Sequence, residues 1–301
     1  MNGRIPHIVQ YQGSKRILAP QILQYMPRRF DRLIEPFSGM AAITIASAIE
    51  DRTSQYVVND LNAPIIELLK CAIQQPEVLI KQYSIIWNEQ FEYTSHLEHF
   101  YHIRNRYNSG DHSPEVMLYL LARCVKGSVR YGRNGNFNQS PDKRRNGTNP
   151  NNIAVNVRQI SYLLKDRVEF FAVDYKAIFD MAKPGDLVYM DPPYQGVSNI
   201  QDNRYLAGVE YNEFAKAIEM LNKKNVDYII SYDGSCGDKA YGKDLPENLN
   251  CTKIMLNAGL SSQATLLGRR NTTFEALYIS EGLSSIVDNI PEQICMLEQV
   301  G

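Results

Sequence analysis

The chain has 301 residues, 44% of them hydrophobic and 22% charged, with a formal net charge of −1. This is the balance of a soluble globular protein with room for a real core, either one large α/β domain or a catalytic domain with an insertion. The longest apolar run, around residues 41–49, is far too short to span a bilayer, no basic segment leads into an apolar one at the start, and five dispersed cysteines form no CxxC pair. A membrane span, a disulfide framework and a cysteine zinc site are therefore not expected; a cytoplasmic protein with reduced thiols and no metal is.

The charge is unevenly spread. Residues 66–165 carry 13 basic and 8 acidic side chains, whereas residues 166–301 carry 12 and 20. A basic middle third argues for a polyanionic partner that the whole-chain charge conceals.

In chain order, Tyr11-Gln12-Gly13-Ser14-Lys15 precedes an amphipathic run through Ile17, Leu18, Ile22, Leu23 and Met26. Ser14 suits the N-cap of that helix. Lys15 then falls in the first turn, where the macrodipole disfavours a cation, so it is either solvated or kept to meet an anion. A short strand over 32–35 leads through Pro36-Phe37-Ser38-Gly39-Met40-Ala41-Ala42 into a helix over 43–49. Strand, small-residue turn, helix is an arrangement that presents free N–H groups to an anion or a cofactor. A single glycine fails the GxGxxG dinucleotide fingerprint. The next strand, 55–58, ends at Asn59-Asp60, and Asp60 follows Gly39 by 21 residues, near the offset at which an acid meets ribose hydroxyls. Its bland alternative is a helix N-cap.

Helical periodicity runs over 65–86 with a break at Pro76, then over 96–107 and 114–125. His96, His99 and His102 recur every third residue and read as a solvated face, since no cysteine or carboxylate pattern accompanies them. From Arg123 to Arg158 there are eight basic residues and one acid, Asp142. Asn134-Gly135 between Val129-Arg130-Tyr131 and Phe137 signals a hairpin with a type I′ turn. Arginine and asparagine at its tip suit major-groove readout, and Lys143-Arg144-Arg145 suit phosphate contact. The candidate DNA contacts are Arg123, Lys126, Arg130, Arg133, Asn134, Asn138, Lys143, Arg144 and Arg145, against the alternative of a solvated basic loop.

An α/β rhythm then returns: a helix over 153–164, a strand over 168–173 ending at Asp174-Tyr175, and a strand over 187–190 that stops at Asp191-Pro192-Pro193-Tyr194. Two prolines cannot continue a ladder, so the acid and the ring are left at the carboxyl end of a strand, where open α/β sheets place ligands. A carboxylate and the Pro192 carbonyl accept the two hydrogens of an exocyclic amino group, and the tyrosine stacks on the base. The bland alternative is a strand-ending turn with a surface acid. Residues 195–208 read as a flap over the site. A helix over 211–222 and a strand over 228–231 follow, then a terminal hairpin of 264–270 with 274–279 whose turn carries Arg269 and Arg270. The tail 281–301 suggests a loop and a short helix near Pro291, with no function assigned.

Taken together, YQGSK, PFSGMAA, Asp60 and DPPY resemble the Dam-type (class alpha, D12-like) DNA adenine-N6 methyltransferases, with the motifs in that family's order to about Ile279. The resemblance implies a Rossmann-like, seven-stranded α/β sheet that binds S-adenosyl-L-methionine (AdoMet), with an inserted, mainly helical target-recognition domain. It divides the chain into a catalytic domain of residues 1–65 and 158–301 and an insertion of residues 66–157. It assigns Tyr11, Lys15, Pro36, Phe37, Ser38, Gly39, Asp60, Leu61, Asp174, Tyr175 and Asp191 to the cofactor, and Asp191, Pro192, Pro193 and Tyr194 to catalysis. Ser14 stands where the family usually has a second glycine, and Met40-Ala41-Ala42 where it has a glycine-rich turn. Implied partners are double-stranded DNA and a restriction endonuclease of the same site.

The mechanism implied is methyl transfer to N6 of an adenine extruded from the duplex. A cytosine-N4 or glutamine-amide methyltransferase would use a similar hydrogen-bonding motif. A nicotinamide oxidoreductase would explain the strand-turn-helix and Asp60 but not DPPY. A non-catalytic DNA-binding protein would need neither DPPY nor Lys15.

Overall fold

The short apolar runs pair into one sheet. Strands β1 (Arg32–Glu35), β2 (Gln55–Asn59), β3 (Val168–Phe171), β4 (Leu187–Met190) and β5 (Asp227–Cys236) are mutually parallel, and a short β6 (Lys239–Ala240) pairs with β5. Strands β7 (Thr252–Leu260) and β8 (Thr272–Ile279) form an antiparallel hairpin, so the order is β3-β2-β1-β4-β5-β8-β7. The structure, a computed structural model, describes residues 4–193, 209–236, 239–240, 243–260 and 272–290. The mostly parallel sheet agrees with the expected Rossmann-like α/β fold.

Strand β4 is buried at all four positions, as a central parallel strand covered on both faces must be. Its alternation sorts the core. Leu187 and Tyr189 join Leu33 and Ile229 on one face, with Ile43 and Ile45 of α2 (Ala42–Ile49), Ile65, Leu68 and Leu69 of α3 (Ala63–Gln74), and Ile153, Val157 and Ile160 of α7 (Pro150–Leu164). Val188 and Met190 join Ile34 and Ile230 on the other, against Ile178 and Phe179 of α8 (Tyr175–Met181) and Phe214, Ile218 and Leu221 of α9 (Tyr211–Lys223).

Between β2 and β3 the helices α4 (Pro76–Glu89), α5 (His96–Asn108) and α6 (Pro114–Arg123) are added. Proline in the first turn of α3, α4, α6 and α7 supplies the preset φ that starts a helix without losing a ladder bond. Their apolar faces, including Leu79, Tyr83, Phe100, Ile103, Met117 and Leu120, merge with the first core cluster. Residues 66 and 157, where the expected insertion begins and ends, fall inside α3 and α7, and these two helices pack on β3 and α2 respectively.

Four local expectations change. The amphipathic run after Ser14 is a 3-10 turn (Lys15–Ile17), one turn of helix, α1 (Ala19–Ile22), and a second 3-10 turn (Leu23–Tyr25), because Pro20 lies in the middle. The hairpin at Asn134-Gly135 forms, with Tyr131 bridged to Phe137, but not through a type I′ turn. Gly135 N–H donates to Gly132 O at 2.9 Å, and of the two central candidates only Gly135 has positive φ, +77°. Arg133 and Asn134 are thus the turn and Gly135 the left-handed residue of a three-residue loop. His99 is not on a solvated face: it is fully buried, with Nδ1 at 2.8 Å from the Tyr119 hydroxyl. Burial, with His102, Arg123 and His96 nearby, lowers its pKa to about 4. Finally, the partner of β8 is β7, which the residue pattern signals only weakly; residues 264–270, Arg269 and Arg270 among them, lie outside the described residues.

The base of the basic loop is fixed to the amino-terminal segment. Gly127 has φ +58°, a Cβ there would lie 1.8 Å from the Gln10 carbonyl oxygen, and Gln12 N–H donates to Gly127 O at 3.1 Å. Gly127→Ala is expected to destabilise the protein by at least about 2 kcal/mol in chemical denaturation, since it combines a left-handed backbone with a backbone clash.

Candidate functional site

The sheet order reverses between β1 and β4: from β1 the chain moves outward through β2 and β3, and from β4 the other way through β5. Ligands of open α/β sheets sit at the carboxyl ends of the strands flanking such a switch point. Here one cavity opens there, lined by Tyr11, Ser14 and Lys15 from the amino-terminal segment, Glu35–Met40 after β1, Asn59–Asn62 after β2, Val173–Tyr175 after β3, and Tyr189 with Asp191–Pro193 at β4. All of the expected cofactor residues line it, together with three of the four expected catalytic residues; Tyr194, with the expected flap 195–208, lies outside the described residues.

Lys15 explains why a cation occupies the first turn. It is 8% exposed, and its Nζ lies 2.8 Å from Asp191 Oδ1 and 3.3 Å from Glu275 Oε1. Burial alone would favour the neutral amine, but the Asp191 and Glu275 carboxylates, with the Tyr189 hydroxyl nearby, more than offset it and raise the Lys15 pKa, so the ammonium is held charged. Glu275, on β8, was not foreseen. Its position beside the buried Leu277 and Ile279 on the same strand face was the available signal, since an acid seldom alternates with core residues unless it is paired.

The loop after β1 is shaped by acids. Asp60 Oδ2 accepts the Gly39 N–H at 3.0 Å and Oδ1 accepts the Asn62 N–H at 2.9 Å, so this carboxylate organises the loop as well as facing the cavity. It is not the helix N-cap of the alternative reading, since Asn62 holds that position in α3; its place in the cavity wall is as expected. Ala41, where the family's turn is richer in glycine, adopts φ +52° beside Gly39 at +48°. Asn59, also unforeseen, stitches two strand-end loops: Nδ2 donates to Pro36 O (2.8 Å) and Val173 O (3.0 Å), and Oδ1 accepts Val173 N–H (3.0 Å). Asp174 caps α8 by accepting Lys176 N–H at 2.9 Å, while the Tyr175 ring lies 5.2 Å from that of Phe37, tilted by 37°. Leu61 is 44% exposed at the cavity mouth.

These groups could hold a cofactor. Ser38 Oγ is buried in the wall without a hydrogen-bond partner among the described residues. Phe37 and Tyr175 offer aromatic surface for an adenine ring, Asp60 suits ribose hydroxyls, and a wall that also holds Glu35 and Asp191 suits a positively charged donor. Among the described residues no group of three or more His, Cys, Asp or Glu side chains is placed to hold a metal.

The remaining basic candidates divide sharply. Lys126, Arg130, Arg133, Asn134, Asn138, Lys143, Arg144 and Arg145 are all exposed. Arg123 is not: it is 1% exposed and donates to Asp142 O and His96 O, tying the basic loop to the start of α5. Its position is that of a buried staple between the basic loop and α5 rather than a surface contact.

Glu35, buried at the end of β1, accepts the Thr44 N–H at 2.9 Å. Burial raises its carboxyl pKa to about 7, opposed by hydrogen bonds from Thr44 and helped by the negative charge of Asp191. A raised carboxyl pKa stabilises the fold fully below the unfolded value, and that stabilisation is lost as pH rises through 4.5 to about 7. Glu35→Gln, which keeps the acceptor, should therefore raise Tm relative to the parent by more at pH 8 than at pH 5, as thermal melts at the two pH values will show.

Residues 11–261 match the family model of D12 class N6 adenine-specific DNA methyltransferases. The chain is 28% identical over 266 residues to the retron Ec67 DNA adenine methylase of Escherichia coli, covering 86% of this chain and 88% of that one. It is 28% identical over 259 residues to the type II methyltransferase M1.LlaDCHI of Lactococcus lactis subsp. cremoris, covering 81% and 86%. Against the DNA N-6-adenine-methyltransferase of Escherichia phage P1 it is 26% identical over 239 residues, 76% of this chain but 30% of that longer protein. With more than half of its length matched by one model, whose strand-end motifs line the cavity at the switch point, the chain belongs to the D12 class of N6 adenine-specific DNA methyltransferases.

Proposed function

We propose that the chain methylates N6 of an adenine at a specific site in duplex DNA, with AdoMet as donor, either as the modification half of a restriction system or as an orphan methylase. The observation that carries this reading is Asp191: an acid fixed at the end of β4 by two prolines after it and by Lys15 beside it, at the mouth of a cavity with an aromatic and acidic wall. Tyr11, Phe37, Asp60 and Tyr175 would hold the cofactor, whose sulfonium supplies an electrophilic methyl group when bound.

The chain's own residues then position the base. Asp191 and the Pro192 carbonyl accept the two N6–H hydrogens, which draws the nitrogen lone pair out of the ring and toward the cavity. Because the carboxylate is already held, little reorganisation remains at the moment of reaction. Tyr194 keeps its proposed place against the face of the base. Extrusion is needed because N6 is out of reach inside the stack. Residues 66–157 are the proposed recognition domain, and within it the exposed Arg133 and Asn134 at the hairpin tip suit base edges, while Lys143, Arg144 and Arg145 suit phosphates. A partner endonuclease is supported by the type II name of the Lactococcus relative. No described helix is long and apolar enough to cross a membrane, in keeping with a proposed cytoplasmic site of action.

Tritiated methyl from AdoMet should appear in duplex DNA as N6-methyladenine without added metal; label found only in N4-methylcytosine or in protein refutes the assignment. Asp191→Ala should lower turnover by two orders of magnitude or more, the order expected for about 3 kcal/mol of charged hydrogen bonding, while DNA affinity is largely retained. The recognition surface is tested separately. Arg133→Ala should relax preference at one base pair by about 1–3 kcal/mol. The triple change of Lys143, Arg144 and Arg145 to alanine should weaken all duplexes alike and flatten the salt dependence by about 0.9 for each phosphate no longer neutralised. Identical behaviour of the two variants on specific and random duplexes would remove the hairpin as the reader.

A further inference from the structure

Glu275 has no place in the mechanism so far, although it is among the groups nearest to the proposed chemistry. It sits on β8 opposite Gly234, where the register of β5 shifts between Tyr232 and Gly234. Irregularities of this kind re-aim side chains at the rims of sheets. Its side chain is 12% exposed, and among the described residues Oε1 is buried without a hydrogen bond and has the Lys15 ammonium as a charged neighbour at 3.3 Å. Further along the same face of the strand, Leu277 and Ile279 are fully buried. A carboxylate at that position costs desolvation that a hydrophobic residue would avoid.

The balance of charge gives a reason. Lys15 and Asp191 alone are a neutral pair, and an ammonium 2.8 Å from the carboxylate weakens that carboxylate's attraction for a positive centre. As N6 bonds to the methyl carbon, the electron pair of the breaking bond leaves with the donor's sulfur, N6 becomes cationic, and one N–H proton then departs to water. We propose that Glu275 is a positioning residue for methyl transfer that acts through Lys15: it holds the ammonium in place and returns the cluster to a net charge of −1, so that the Asp191 carboxylate faces the developing cation with its charge uncancelled. The proposal rests on the amino-group methylation reading above. Among the described residues, the other titratable groups facing Asp191 and Lys15 include Glu35 on β1 and Tyr189 on β4, with Tyr11 of the amino-terminal segment also in the cavity wall.

The Asp191 and Glu275 oxygens that meet Lys15 are no more than about 6 Å apart. At an effective dielectric of about 20, a unit charge at that distance changes a charge equilibrium by on the order of a hundredfold, and a partly charged transition state feels a fraction of that. Glu275→Gln, isosteric and neutral, should slow single-turnover methyl transfer on the order of tenfold, with the affinities for AdoMet and duplex DNA unchanged within about twofold. Removing a negative charge also makes Asp191 easier to ionise. Its apparent pKa, followed by carbon-13 NMR of the carboxyl group without cofactor or DNA, should fall in the variant, and the acid limb of the pH–rate profile should move to lower pH. In a Lys15→Gln background, Glu275→Gln should slow transfer less than it does in the parent, because the part of its effect that comes from holding the ammonium in place is gone while its direct charge effect remains.

An unchanged rate and an unmoved Asp191 titration overturn the proposal, as does a rate loss matched by an equal loss of cofactor or DNA affinity. If Glu275→Gln does not fold, Glu275→Asp carries the test: keeping the charge should keep the rate within about threefold, and a larger loss in a folded protein assigns Glu275 to packing. The comparison uses whatever methyl transfer the parent performs. A wrong choice of base therefore shows up in product analysis of the parent, separately from any failure of the Glu275 arm.

Discussion

A buried ammonium must be met by carboxylates or be neutralised, and Lys15 is met by two. That requirement ties together three parts of the chain that are far apart in sequence: the turn after Ser14, the end of β4 and the middle of β8. A shift of any one of them breaks at least one ion pair of a buried ammonium. The antiparallel hairpin of β7 and β8 therefore does more than close the edge of the sheet, because through Glu275 it contacts Lys15 in the cavity wall. The stiffness of Asp191 has two sources, proline on its carboxyl side and an ion pair at its side chain.

The rest of the cavity follows from where the strands stop. β1, β2, β3 and β4 all end on the same side of the sheet, and each end delivers a polar group: Glu35, Asn59 with Asp60, Asp174, and Asp191. Side-chain amides and carboxylates then join neighbouring loops that share no ladder. Asn59 links the loops after β1 and β3, and Asp60 accepts the Gly39 N–H in the turn after β1. Ala41 holds a left-handed conformation that costs an alanine about 1–2 kcal/mol, so the surrounding packing maintains the turn where the residue itself does not favour it.

What could be read from the sequence was local chemistry with a period. The strand over 187–190, the turn at Pro36–Gly39, the acid after β2 and the break at Pro76 each depend on neighbours a few residues away, and each is present as expected. Pairings over long sequence distances were harder. Lys15 looked anomalous in its turn, but its partners lie 176 and 260 residues away. Glu275 was visible only as an acid out of step with Leu277 and Ile279, and β7 only as a weak alternation over Ile254 and Leu256. His99 shows the reverse error: a polar residue type suggested solvent, while the tyrosine that receives it, Tyr119, lies one helix further on.

Arg123 makes the same point for the basic stretch. Composition counted eight cations between Arg123 and Arg158 as one surface, yet burial separates the first from those of the exposed loop and gives it two carbonyl partners instead. The exposed cations stand on a base that is itself fastened to the cavity. Tyr131 donates to Asn62 Oδ1 at 3.1 Å, the Asn62 backbone N–H donates to Asp60, and Gly127 packs against the Gln10–Gln12 segment that leads into Lys15. The loop that carries the proposed DNA contacts and the loops that carry the proposed cofactor and base contacts are thus anchored to one another by backbone and side-chain hydrogen bonds. A displacement at the foot of the hairpin would have to break a bond to Asn62 or to Gln12 before it left the cavity unchanged.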